Sequence, residues 1–160
     1  MPKLESPTTL VRTTWDRLGA TVVGRAVFDR MIRRTVPYTG TIRARVQEVR
    51  AGYARVELPD RRRVRNHLDS VHAIALCNLA EMTGNLAMIY TLPPDARLIV
   101  SGMSIEYRKK ARGTITATSE TPPLHGSAEH TYEVPVRMVD ATGALVAEAT
   151  LRSLVRPRPA

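Results

Sequence analysis

Three polar residues in an otherwise apolar stretch have the types needed for chemistry. In the segment 66–81 (NHLDSVHAIALCNLAE), Asn66, His72 and Glu81 stand at offsets of six and nine. Glu81 is the only formal charge between Ser70 and Pro94. A carboxylate is costly to bury, so one in such surroundings is ordinarily paired or functional. An ordinary buried Glu bonded to a neighbour, or one facing a water-filled groove, is the alternative. If His72 and Glu81 shared one helix, nine residues would turn it by about 900° and set them roughly 13 Å apart on opposite faces. Within one chain they then form no acid–base dyad. A shared site requires His72 outside the helix proper or a second copy, which points to at least a dimer.

The elements that must position these residues follow from periodicity. Residues 13–35 predict one amphipathic helix, with Trp15, Leu18, Val22, Ala26, Phe28 and Ile32 at three- and four-residue spacing. Residues 41–49 alternate, with Ile42, Ala44, Val46 and Glu48 on one face. Ala51-Gly52 supplies a turn into a second strand, 53–58, and residues 59–65 (PDRRRVR) form a polar loop. Residues 70–94 are apolar on every side, which predicts a buried central helix capped by Asp69 or Ser70. A membrane span does not suit this run, because His72, Asn78, Glu81, Thr83 and Asn85 interrupt it. After Pro93-Pro94, strands are expected at 97–107, 113–120, 133–139 and 144–155, the last two joined by a turn at Asp140-Ala141-Thr142-Gly143, with a loose tail from Arg156. Several strands beside one long helix indicate an α+β fold with an antiparallel sheet.

Composition narrows the function. With 160 residues, 43% apolar and 24% charged, the chain suits one ordinary globular domain. The single Cys77 makes no internal disulfide and no structural zinc site. The start, MPKLESPTTL, lacks the apolar core of a signal peptide, so a reducing, cytoplasmic setting is expected. His67, His72 and Cys77 are spaced by five, about 140° apart around a helix, which gives no shared metal face. No metal or other cofactor is expected, and no nucleotide loop or nucleophile elbow is present. Net charge is +9, and its distribution is uneven: residues 1–65 hold 15 basic and 6 acidic side chains, residues 66–160 hold 9 of each. Aromatics at 4% are too few for base stacking, so a nucleic-acid partner is not expected.

The pattern Asn66-x5-His72-Ala73-x7-Glu81 resembles the signature of hotdog-fold acyl-CoA thioesterases. In the phenylacetyl-CoA type that signature is approximately N-x-x-G-x-x-H-G-G with an acidic residue nine positions after the His. The element order, a hairpin, a long central helix and four strands around it, is similar. Val36-Pro37-Tyr38, Arg65-Asn66-His67 and Val71-His72-Ala73 look closest to a hotdog branch catalogued as a domain of unknown function. The resemblance implies one hotdog domain over 1–160, with 1–36 as an N-terminal helical extension and 37–156 as the core. It makes Glu81 the general base or nucleophile, Asn66 the residue positioning water or substrate, and the Ala73 amide the oxyanion donor from another protomer. His72 would order the start of the helix. Ser101 and Ser104 lie near where some relatives carry a water-assisting hydroxyl. Two departures stand out: Ala73-Ile74 replaces Gly-Gly, and Asp69 replaces the Gly of the N-x-x-G phrase.

The implied function is hydrolysis of an acyl-thioester in a homodimer or dimer of dimers; a non-catalytic acyl-CoA or lipid-binding module is the alternative. Coenzyme A carries three phosphates, and basic residues would attract it. Arg65, within the run Arg61, Arg62, Arg63 and Arg65, and Arg108, Lys109 and Lys110 are the expected contacts.

Overall fold

A computed structural model describes residues 7–159. The expected first helix is two. Helix α1 (Pro7–Leu18) and helix α2 (Val22–Thr35) fold back on each other. The break arises at Thr21, which is extended and caps α2, its hydroxyl accepting the Gly24 amide at 3.0 Å. The hairpin closes on an edge-to-face pair of Trp15 and Phe28, ring centroids 5.0 Å apart. A single helical turn, α3 (Pro37–Gly40), then delays the first strand to β1 (Arg45–Arg50).

Strand β1 pairs with β2 (Tyr53–Leu58), and a bulge between Val46 and Glu48 resets its alternation. Ile42, Ala44 and Val46 point inward as their spacing predicts. Past the bulge Val49 is the buried residue, and Glu48 leaves the inner face.

The central helix α4 (Ala73–Thr91) begins later than the cap expected at Asp69 or Ser70. Arg65 and Val71 form a β-bridge, and the amides of Val71 and His72 donate to the carbonyls of Ala111 and Val64. That pairing holds 71–72 extended, so the helix starts only after His72. Strands β3 (Ala96–Tyr107), β4 (Ile115–Glu120), β5 (His130–Val139) and β6 (Leu145–Pro157) complete a six-stranded antiparallel sheet in the order β1-β2-β4-β5-β6-β3. The tail from Arg156 is tied down, since Arg156 and Pro157 pair with β3 and the Arg158 amide donates to Asp95.

The sheet curls around α4, whose Leu79, Ala80, Thr83, Ala87 and Met88 are fully buried. Gly84 allows a close approach: a Cβ there would lie 2.4 Å from a methyl of the fully buried Leu151 on β6. Two strands are left at the edges, and β3, twelve residues long, is bonded only to β6. No helix among the described residues is long and apolar enough to cross a membrane.

Candidate active site

The first turn of α4 is organised by His72. Its Nδ1 accepts the Ile74 amide at 3.1 Å, and its carbonyl accepts the amides of Ala75 and Leu76. With the His72 amide itself donating to the Val64 carbonyl, three of the four free donors of the helix start, those of His72, Ile74 and Ala75, are satisfied. The Ala73 N–H is the one left without an acceptor among the described residues, at the positive end of the helix dipole.

Asn66 closes the preceding loop. Its Oδ1 accepts the Leu68 amide at 2.9 Å, the Ser70 amide at 3.3 Å and the Ser70 hydroxyl at 3.1 Å. The side-chain oxygen is thus committed to the turn, and only Nδ2 remains to meet a substrate or water. Asp69 sits in the left-handed region at φ 54°. That backbone explains a glycine in the related signature; Asp is among the side chains that tolerate it. Its charge is balanced by Arg65, whose guanidinium bonds Asp69 at 2.7 Å and Asp60 at 2.6 Å. The Arg65 contact also holds the Asp60 carboxyl below the ordinary carboxylate range.

Glu81 lies two turns further along α4 and is half-buried, with no hydrogen bond or ion pair among the described residues. Asn85, one turn below it, has a buried Oδ1 that is likewise without a partner. The two flank openings on both sides of the helix. One is a recess of about 150 Å³ against α1 and α2, lined by Val11, Met31, Ile32, Leu86 and Ile89. The other, of about 340 Å³, opens beneath β3 at Leu98 and Val100 and reaches Arg97 and Arg158. Asn85 escapes a reading of the motif alone, although its i+4 spacing from Glu81 places it on the same helix face.

Tyr107 is a second residue not singled out by sequence. From the end of β3 its hydroxyl donates to the Ala73 carbonyl at 3.3 Å and stands 3.2 Å from the Cys77 sulfur. Burial, then the contact with Cys77, pushes its phenol up to about 12. Cys77 is only half-buried beside it.

These residues do not converge in one chain. His72 borders a separate recess with Tyr38, Thr41, Arg63, Ile74 and Asn78, and Glu81 lines neither it nor any opening containing Asn66. Ser101 and Ser104 also stand away from Glu81: Ser101 donates to the Arg152 carbonyl, and Ser104 opens on the outer face of the sheet. The bulge between Val100 and Gly102 sets this phase. Of the expected phosphate contacts, Arg65 is paired as above, Arg108 bonds Glu106 and Glu148, and Lys109 bonds Asp140 at 2.7 Å. Lys110 is exposed, with no partner among the described residues.

Comparison with known proteins bears on this arrangement. Residues 24–155 match the family described as Domain of unknown function (DUF4442). The chain belongs to this family. A structural-genomics crystal structure shares 33% identity over 93% of this chain and 99% of that one, with a TM-score of 0.82. A Pseudomonas aeruginosa protein of unknown function, described as a probable thioesterase, shares 20% identity over 97% of this chain and 99% of its own, with a TM-score of 0.72. A thioesterase family protein from Silicibacter pomeroyi shares 13% identity over 81% and 96%, with a TM-score of 0.70. No functionally curated protein matches the sequence. This DUF4442 chain therefore has the hotdog fold, and its neighbours in fold include thioesterase-family proteins.

Proposed function

We propose that this protein hydrolyses an acyl-thioester by carboxylate-activated water at a site shared between two copies of the chain. The observation that carries the reading is Glu81, a half-buried carboxylate on the central helix with no protein partner among the described residues, at the mouth of an apolar recess. An unsatisfied carboxylate and the neighbouring Asn85 oxygen both call for a donor, and water is one. Glu81 takes a proton from water as the oxygen attacks the thioester carbonyl. The Ala73 amide of a second copy donates to the developing oxyanion, and Asn66 Nδ2 of that copy orients the water or the carbonyl. The carbon–sulfur bond then breaks, and the proton held by Glu81 passes to the departing thiolate. His72 acts by fixing the helix start. The unpaired edge of β3 is the surface through which two copies would join their sheets. A recess of about 150 Å³ matches a cavity that holds a benzene-sized group, so a short or aromatic acyl group fits. Lys110 is the member of its cluster free to meet a phosphate.

The test is thiol release from a panel of short, long and aromatic acyl-coenzyme A esters, with Glu81→Gln alongside. Glu81→Gln is expected to lose about 10²–10⁴-fold in turnover at an unchanged thermal midpoint; full activity in that variant overturns the assignment. A second reading, binding without turnover, is favoured by Ile74, which is 55% exposed where the related signature has glycine. It predicts acyl-coenzyme A binding with no thiol release across the panel.

A further inference from the structure

A wide concavity lies outside the site just described. It occupies about 1080 Å³ between α2, α3, β1 and the loop before α4. Its walls carry six arginines, Arg30, Arg33, Arg43, Arg45, Arg61 and Arg63, against one carboxylate, Asp29. Asp29 is itself buried and occupied by the Val46 amide, which it accepts at 3.0 Å. None of the six arginines forms an ion pair among the described residues, unlike Arg65, Arg108 and Lys109. Arg61 donates through Nη2 to the Ile42 carbonyl, yet its Nε is buried and unpartnered. Its own burial and repulsion from Arg43, Arg45, Arg33 and Arg63 depress its affinity for a proton, the mark of like charges crowded without a counter-ion.

The backbone maintains this crowding. Gly40 packs so closely on α2 that a Cβ would lie 2.9 Å from the Arg33 Cα. Arg43 takes the left-handed conformation at φ 47°, a strained choice for a residue other than glycine. Such strain persists where the surroundings over-determine it.

We propose that this cleft is a binding site for a ligand carrying two or three neighbouring phosphate groups. Six guanidiniums and one carboxylate leave a large positive excess; at about −1.5 to −2 charges per phosphate group, two offset most of it and three come close to balancing it. The planar fork of arginine matches phosphate oxygens bidentately. The cleft walls include no aromatic side chain, so the phosphates and not a stacked base supply the recognition. The concavity favours a compact ligand over a nucleic-acid strand. Thr41 and Arg63 also border the recess at the start of α4, so the two openings adjoin. The phosphates could therefore belong to the nucleotide end of a coenzyme A thioester or to a separate polyphosphate. The site itself does not depend on the thioesterase reading; only the first of those two sources does.

Titration calorimetry on the full chain tests it, using inorganic tripolyphosphate, free coenzyme A and inorganic phosphate as probes. Tripolyphosphate is expected to bind at least about tenfold tighter than inorganic phosphate, with affinity falling as salt is raised. A triple variant of exposed cleft residues, Arg30→Gln, Arg43→Gln and Arg45→Gln, should weaken tripolyphosphate by about tenfold or more. Arg17→Gln on α1, outside the cleft, should not, and an unchanged circular-dichroism melt of the triple variant would exclude unfolding. Weaker coenzyme A binding in the triple variant would identify the substrate's own phosphates. For an active enzyme, it would be joined by a higher KM for acyl-coenzyme A and unaltered turnover of the matching N-acetylcysteamine thioester, which lacks phosphate. Loss of tripolyphosphate binding alone would identify a separate polyphosphate. Absence of tripolyphosphate and coenzyme A binding in the wild type, or equal affinity in the triple variant, overturns the proposal whether or not any thioester is turned over.

Discussion

Mixing two inactive variants should restore activity if the site is shared between copies. Ala73 and Glu81 lie eight residues apart on α4, about 12 Å along the axis and about 80° around it. A reacting carbonyl must lie about 3 Å from its oxyanion donors, so the two residues of one chain do not serve the same carbonyl. Glu81→Gln removes the base. Asn66→Asp keeps the side-chain oxygen that closes the 66–70 loop and removes the Nδ2 donor, leaving the turn intact. In a symmetric dimer each mixed pair contains one site with both defects and one with neither. Random pairing makes half the dimers mixed, so the mixture should recover about one quarter of wild-type turnover. The assay is thiol release after co-refolding equal amounts of the two variants, with each variant refolded alone as control. An active wild type and folded variants that recover nothing on mixing would refute the sharing and place the whole site in one chain.

Other consequences concern stability and the neighbourhood of the site. Asp29→Ala removes the acceptor of the buried Val46 amide and should cost about 1–3 kcal/mol in chemical denaturation. Burial raises the Asp29 carboxyl above its ordinary value, so the folded state holds this proton more tightly than the unfolded chain. Its contribution is full below the unfolded value and is lost as pH rises through the folded one; Asp29→Asn should flatten that segment of the stability–pH curve. Gly84→Val drives a side chain into the buried Leu151 and should lower stability by about 1–3 kcal/mol, read from the thermal midpoint. Tyr107, held up to about 12 by burial and by Cys77, should titrate lower in Cys77→Ala, observable by NMR of the ring.

What the chain determined by itself was local. Alternating residues placed Ala54, Val56 and Leu58 inward on β2, and Tyr132, Val134, Val136 and Met138 inward on β5, because strand side chains alternate strictly about a regular backbone. The unbroken apolar run marked α4 as the helix at the centre, and a carboxylate within it marked Glu81. Where the backbone is irregular, that logic stops. The bulges at Val46/Glu48 and Val100/Gly102 shift the phase by one residue, and pairing with another strand, not local composition, decides where they fall. The start of α4 was likewise decided from afar, by the pairing of 71–72 with Val64, Arg65 and Ala111. Charge behaved in the same way. Of the basic residues conspicuous in sequence, Arg65 is paired with its near neighbours Asp60 and Asp69, whereas Arg108 and Lys109 reach Glu148 and Asp140, distant in the chain. The six arginines of the cleft come from three separate segments and become one field only when α2, the start of β1 and the loop before α4 fold together. Side-chain type and spacing are properties of the chain, whereas proximity is a property of the fold, and the strength of a charge cluster depends on proximity.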